Sequence, residues 1–191
     1  MAKADPDASK RERNKTIRWV VTIFFVTILI SGVISLVSDE VMANSSLMVA
    51  FLILFVIIFL GIIFDIIGMA VATASEKPFH SMAARKVPGA QEAIRLLRNA
   101  ERVSSICNDV VGDICGVVSG SASATIAALI LTNAEIGWPR GVSLAMSALA
   151  AGLTVDGKAI GKTFAVKSCT KIVHIVGWLI HSVNRLFARK K

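Results

Sequence analysis

Two uninterrupted apolar runs decide what this chain can fold into. Trp19 to Val37 holds no ionisable residue, and Leu47 to Ala74 holds one, Asp65. Each is long enough to cross roughly 30 Å of hydrocarbon at about 1.5 Å of rise per residue. In lipid every backbone N–H and C=O must be satisfied within the protein, so spans are helices or closed barrels, and barrel strands would alternate apolar and polar residues. The fold class expected is therefore an all-α membrane protein. Composition agrees: 54% of the 191 residues are hydrophobic and the mean hydropathy is +0.69, yet the net charge is +8. Such values coexist only when charges are segregated from apolar segments. A basic segment precedes Trp19 as in a secretory signal, but the apolar run is long and no A-x-A-like cleavage site follows it, so a first span is the reading preferred.

Met1 to about residue 17 reads as a disordered cytoplasmic tail, with Lys10, Arg11, Arg13 and Lys15 just before the first span. A transmembrane domain over 18–191 follows. Its spans are expected at about 19–37, 47–74, 109–132 and 141–166, with Ser38 to Ser46 an acidic loop carrying Asp39 and Glu40. Within Ser75 to Asn108, the residues Val87, Ala90, Ala93, Ile94, Leu97, Ala100 and Val103 recur at helical spacing opposite arginines. That pattern predicts an interfacial helix over about 88–104, begun or bent at Pro88-Gly89. The third span is rich in Gly, Ser and Ala. Gly137-Trp138-Pro139 marks the turn to the fourth, which is expected to break at Asp156-Gly157-Lys158. A second interfacial helix over about 171–189 carries Ile172, Ile175, Val176, Leu179, Val183, Leu186 and Phe187 on one face. The whole is four transmembrane helices plus amphipathic juxtamembrane helices, the fourth span broken.

Charge sets orientation. With both termini and the Ser75 to Asn108 segment on the cytoplasmic side, twenty of the 21 Lys and Arg lie inside, and Arg140 alone lies outside. The expected location is a cytoplasmic (plasma) membrane, with anionic lipid headgroups as partners of the basic segments. Nucleic acid is not an expected partner, because no aromatic stacking positions interleave with the basic residues. Cys107, Cys115 and Cys169 form no CxxC pair and have no His at ligand spacing, so neither a disulfide framework nor a zinc site is indicated. No Ser/His/Asp set, P-loop or dinucleotide fingerprint appears, so an enzyme is not expected, nor an organic cofactor.

Asp65, Asp113 and Asp156 are the candidate site residues. Counted from the outer ends of their spans at about 1.5 Å per residue, they fall roughly 27, 28 and 23 Å deep, at one level near the cytoplasmic face. Carboxylates there are paired, hydrated or functional. Together they would suit a hard cation such as Mg²⁺, which keeps several waters and needs one or two protein carboxylates. Asp113 and Asp156 have an equal alternative, capping helices in the headgroup region or pairing with Lys158 and Arg102. Asp65, flanked by apolar residues, calls for function or a specific buried partner. Gly112, Gly116 and Gly120 make two overlapping GxxxG steps, which signal close helix packing against another span or a second subunit. His174 and His181 read as interfacial polar residues rather than ligands.

From Gly61 onward the order of features resembles the transmembrane domain of the cyclin M/CorC magnesium-transport family. Phe64-Asp65-Ile66-Ile67-Gly68-Met69-Ala70-Val71 aligns with that family's FSGSExAL motif. Pro88-Gly89-Ala90 through Leu96-Leu97-Arg98-Asn99-Ala100-Glu101-Arg102 matches its connector, and Gly157-Lys158-Ala159-Ile160-Gly161-Lys162 matches its GEIxPK motif. The family's acidic residue in the first motif falls on Gly68, its asparagine near Asp113, and the Glu of the third motif on Lys158. The resemblance implies a fold of spans linked by a basic connector, Mg²⁺ as the ion handled, and a homodimer, with the first span an addition. The expectation is a small cation transporter with Asp65 as main ligand and Asp113 and Asp156 assisting. The alternative is a non-transporting membrane scaffold that keeps the fold without the ion site.

Overall fold

The computed structural model describes residues 6–43, 45–133 and 137–188. Eight α-helices and one π-helical stretch account for nearly all of them, with no strand among the described residues. In chain order they are α1 (Pro6–Ala43), α2 (Leu47–Thr73), α3 (Lys77–Ala84), α4 (Ala90–Arg98), α5 (Ala100–Ser105), the π-helix Ile106–Gly112, α6 (Asp113–Asn133), α7 (Pro139–Lys167) and α8 (Cys169–Ala188). Among the described residues three helical stretches are long and apolar enough to cross a membrane: Ile17–Met42, Leu47–Thr73 and the 33 residues Ala100–Thr132, which run through α5, the π-helix and α6. The bent pair α7 and α8 makes a fourth if taken as one broken span.

α2 is the central post. It packs along α6 and α7, and it also meets the π-helix, α5 and α8. Towards the α2 start, Met42, Ala50, Leu54, Ile58, Ile126 and Met146 close one core. Towards the α2 end, Val71, Phe79, Ala93, Leu97 and Val173 close another, in which Phe79 is fully buried and pins the short helix α3. Burying a phenylalanine contributes about 1.5–3 kcal/mol, enough to hold a helix of two turns that would not persist alone.

Several boundaries differ from those read in the sequence. α1 does not end near Val37; it continues through Asp39 and Glu40 to Ala43, and it begins at Pro6, inside the stretch read as a disordered tail. Acidic residues in a last helical turn oppose the helix dipole, which is why the pattern suggested a loop. Asp39 is instead held there by tertiary hydrogen bonds. The Ser121 hydroxyl donates to it at 3.0 and 3.1 Å and the Thr125 hydroxyl at 3.2 Å, fastening α1 to α6.

The break in the fourth apolar stretch also moves. α7 runs unbroken through Asp156-Gly157-Lys158, and the chain turns at Ser168 (φ −118°, ψ 18°), bending by 93° into α8. Gly157 and Gly161 do not end the helix because they are its packing face. A side-chain carbon at Gly157 would collide with Ile62, and one at Gly161 would lie 2.9 Å from Ile66 of α2. In a helix bundle such small-xxx-small steps let two backbones approach, an effect that outweighs the modest helix cost of glycine.

The expected interfacial helix over 88–104 is split at Asn99 (φ −114°, ψ 29°), whose side-chain amide donates to the Arg95 carbonyl at 3.0 Å. Its second half feeds directly into the third long helix. α8 docks on α4 not by its apolar face but by Val173 and Gly177, which are buried, while Ile175, Leu179, Val183, Leu186 and Phe187 stay exposed. Gly89, at φ 85°, opens α4 and lies against the backbone of Gly177 and Trp178, so two glycines meet where the helices cross.

Candidate functional site

Along α2, Gly61, Asp65 and Gly68 stand at i, i+4 and i+7 and so share one face. The glycines bring a neighbour close. A carbon added at Gly61 would sit 2.9 Å from Cβ of Cys115, and one at Gly68 would run into the side-chain amide of Asn108, 2.8 Å from its Cγ. Asp65, between them, therefore faces the segment between Asn108 and Cys115, which holds the end of the π-helix. A π-turn pairs i with i+5, widens the helix and shifts its carbonyls away from their α-helical partners. The Gly112 carbonyl here accepts a hydrogen bond from Lys158 Nζ of α7 at 3.2 Å.

Lys158 and Lys162, one helical turn apart on α7, both reach this crossing. Lys162 Nζ lies 3.6 Å from Asp65 Oδ2, an ion pair without a hydrogen bond. Asp65 is 3% exposed, whereas the Lys162 side chain is 48% exposed, so the carboxylate is enclosed by the protein and its counter-charge lies partly outside it. A methyl placed at Gly112 would lie 3.4 Å from the Cys107 carbonyl oxygen, 3.5 Å from Lys158 Nζ and 3.6 Å from Asp65 Oδ1. The bare Cα of Gly112 thus leaves a small space onto which a carboxylate oxygen, a backbone carbonyl and an ammonium converge.

Two acceptors in this region have no hydrogen-bond donor: Asp65 Oδ2 and Asn108 Oδ1. The Asn108 amide nitrogen is engaged, donating to the Ser104 hydroxyl at 3.3 Å. Buried acceptors without donors are costly and uncommon, and each calls for a cation, a water or a mobile donor. The junction of α2, the π-helix and α7 is therefore an oxygen-rich, donor-poor spot with two lysine ammonium groups at its edge.

The three aspartates read from the sequence have different surroundings. Asp65 is buried at this junction, while Asp113 and Asp156 are exposed on α6 and α7. Among the described residues no three His, Cys, Asp or Glu side chains gather in a way that could hold a metal. The lysine paired with Asp65 is Lys162, which the sequence does not single out; Lys158 enters the sequence reading of the site only as an alternative partner of Asp113 or Asp156. The signal that could have found them is the spacing Gly157-Lys158-x-x-Gly161-Lys162, in which each glycine that seats α7 on α2 is followed by a lysine. Of the glycine series, Gly112 is buried within the chain's own fold, while around Gly116 and Gly120 a side chain would meet nothing within 4 Å. The cysteines are all free.

A second polar contact lies between the connector and α8. His181 Nδ1 donates to Glu92 Oε1 at 3.0 Å, beside a cleft of about 250 Å³ lined by Lys86, Gly89, Gln91 and Glu92 among others. Burial pushes the Glu92 carboxyl upward, but the bond from His181, a backbone hydrogen bond and the charges of His181 and Arg95 outweigh it, leaving the group below its ordinary value of 4.5. His174 lies elsewhere on α8 with a buried, unpartnered Nε2.

No protein-family model matches the chain, and searches of curated proteins and of solved structures return no match.

Proposed function

We propose that this chain is a cation-handling protein of a cytoplasmic membrane, of the cyclin M/CorC type, that binds or moves a divalent cation such as Mg²⁺ at the crossing of α2, the π-helix and α7. The observation that carries the reading is Asp65. A carboxylate 3% exposed, in the second half of the most apolar helix, with one oxygen lacking any donor, is hard to account for as packing alone. Around it stand further hard oxygen atoms, the Gly112 and Cys107 carbonyls, and, opposite Gly68 in the next turn of α2, the orphaned Asn108 Oδ1 of the π-helix. Mg²⁺ needs few protein oxygens because it keeps much of its water. Asp113 and Asp156 have a place in this reading only as exposed charges along the approach to the site. Both termini and the connector face the cytoplasm in this scheme, as the distribution of Lys and Arg favours. The open surface around Gly116 and Gly120 gives a second copy room to pack against α6.

A second reading has its own support. Lys162 already balances the Asp65 charge, as would be expected of a membrane scaffold whose half-buried pair fixes helix register and carries no ion. One experiment separates the two. Mg²⁺ uptake into proteoliposomes containing wild-type protein or Asp65→Asn should show flux that falls at least tenfold in the variant. Equal flux in both would remove Asp65 as a ligand, and no flux above empty vesicles would favour the scaffold.

A further inference from the structure

We infer that Lys158 and Lys162 are tethered competitors for the oxygen site around Asp65, occupying it with their own ammonium groups until a cation displaces them. The inference deepens the cation-handling reading and rests on it.

An ammonium and a metal ion ask for the same surroundings: oxygen acceptors without protons of their own. Lys158 Nζ accepts that role at the Gly112 carbonyl, 3.2 Å away, and lies beside the space that Asp65 Oδ1 and the Cys107 carbonyl also face. Lys162 Nζ lies 3.6 Å from the other carboxylate oxygen, close enough for attraction and too far for a hydrogen bond. The two lysines therefore divide the site between them without filling it, which is why Asp65 Oδ2 and Asn108 Oδ1 are left without donors. A permanent structural pair would close those bonds, since a half-satisfied buried network costs more than an apolar one.

Lys162 also has somewhere to go: its side chain is 48% exposed, so its long flexible stem can carry the ammonium off the carboxylate while the helix stays seated on α2 through Gly157 and Gly161. Withdrawal leaves a carboxylate, two backbone carbonyls and the space over Gly112. Insertion returns positive charge to the site and repels a divalent ion across only a few ångströms. The lysines thus set how strongly an ion is held and keep the resting site electrically closed, so that a buried carboxylate is never left bare.

The test uses Mn²⁺ as a paramagnetic probe on the full chain reconstituted in nanodiscs, with bound and free ion separated by electron paramagnetic resonance. Lys158→Met and Lys162→Met should each tighten Mn²⁺ binding by about tenfold, and the double variant by more, because each removes one like charge and keeps the apolar stem. Lys162→Arg, which keeps the charge, should bind no tighter than wild type. Lys158→Gln and Lys162→Gln serve where a methionine variant fails to fold, as judged by its melting curve. The inference is overturned if Mn²⁺ binding is lost in Asp65→Asn, so that the site is real, yet is unchanged or weakened by the lysine replacements. It is also overturned if Lys162→Arg tightens binding as much as Lys162→Met. If neither wild type nor the double variant binds Mn²⁺ in an Asp65-dependent way, the cation reading itself fails and takes the inference with it.

Discussion

Replacing Gly89 with alanine should unseat α4 from α8. Gly89 has φ 85°, a left-handed conformation that costs an L-residue with a side chain about 1–2 kcal/mol. The new methyl would meet backbone, not a movable side chain. It collides with the Trp178 amide nitrogen and lies 2.6 Å from Trp178 Cα and 2.8 Å from the Gly177 carbonyl carbon, where ordinary contact begins near 3.4 Å. No rotamer change relieves such overlap, so one helix must move, at a further cost of about 1–3 kcal/mol. The total, about 2–5 kcal/mol, is large beside the net stability of a typical domain. In a background where Trp19 and Trp138 are phenylalanine, Trp178 becomes the sole reporter and sits at the contact itself. Gly89→Ala should lower the melting temperature in detergent and shift Trp178 emission to the red. Gly152→Ala is the control: its methyl meets nothing within 4 Å on α7, so it should be neutral or stabilising by up to about 1 kcal/mol. If Gly89→Ala melts with wild type and leaves Trp178 emission unchanged, the close backbone crossing of α4 and α8 is not what holds them together.

Three further outcomes are expected. Asp65→Asn, Lys162→Leu and their combination should give a coupling of about 1 kcal/mol in chemical denaturation, small because the exposed Lys162 ammonium is screened; a coupling of zero would deny the ion pair. Removing both donors to Asp39 with Ser121→Ala and Thr125→Val should cost about 1–3 kcal/mol and speed protease cleavage near the α1–α2 turn, whereas Asp39→Asn, which keeps an acceptor, should cost less. Because Glu92 is held below 4.5 in the folded protein, its contribution to the α4–α8 contact is complete above 4.5 and is lost as pH falls through the lower folded value. Trp178 emission should therefore shift between pH 4.5 and more acidic values in wild type but not in Glu92→Gln.

The long helices were legible because hydropathy is a property of runs: α2 was placed within a residue of its true end, and the third and fourth stretches were found in order. What escaped depends on contacts that composition does not encode. Asp39 and Glu40 read as a loop because local rules disfavour acids at a helix end, and the hydrogen bonds that Asp39 accepts come from Ser121 and Thr125, more than eighty residues away. Gly157 read as a breaker because glycine usually is one; its role as a seat for Ile62 exists only once α7 lies on α2. Nothing about Ser168 announces a right-angle turn. At the site, Asp65 stood out by isolation, while its partner did not, since a lysine near a helix end normally marks nothing more than the cytoplasmic surface. The π-helix has no residue signature at all, because it is an offset in hydrogen bonding accommodated against a neighbour.

The bend of 93° at Ser168 makes α7 and α8 two arms of a bell crank. The upright arm carries the lysines beside Asp65, and the horizontal arm is gripped by the connector at Gly89 and Glu92. The two arms thus meet the rest of the fold at different places, one beside a buried carboxylate and the other on the connector, and Ser168 is where the chain joins them.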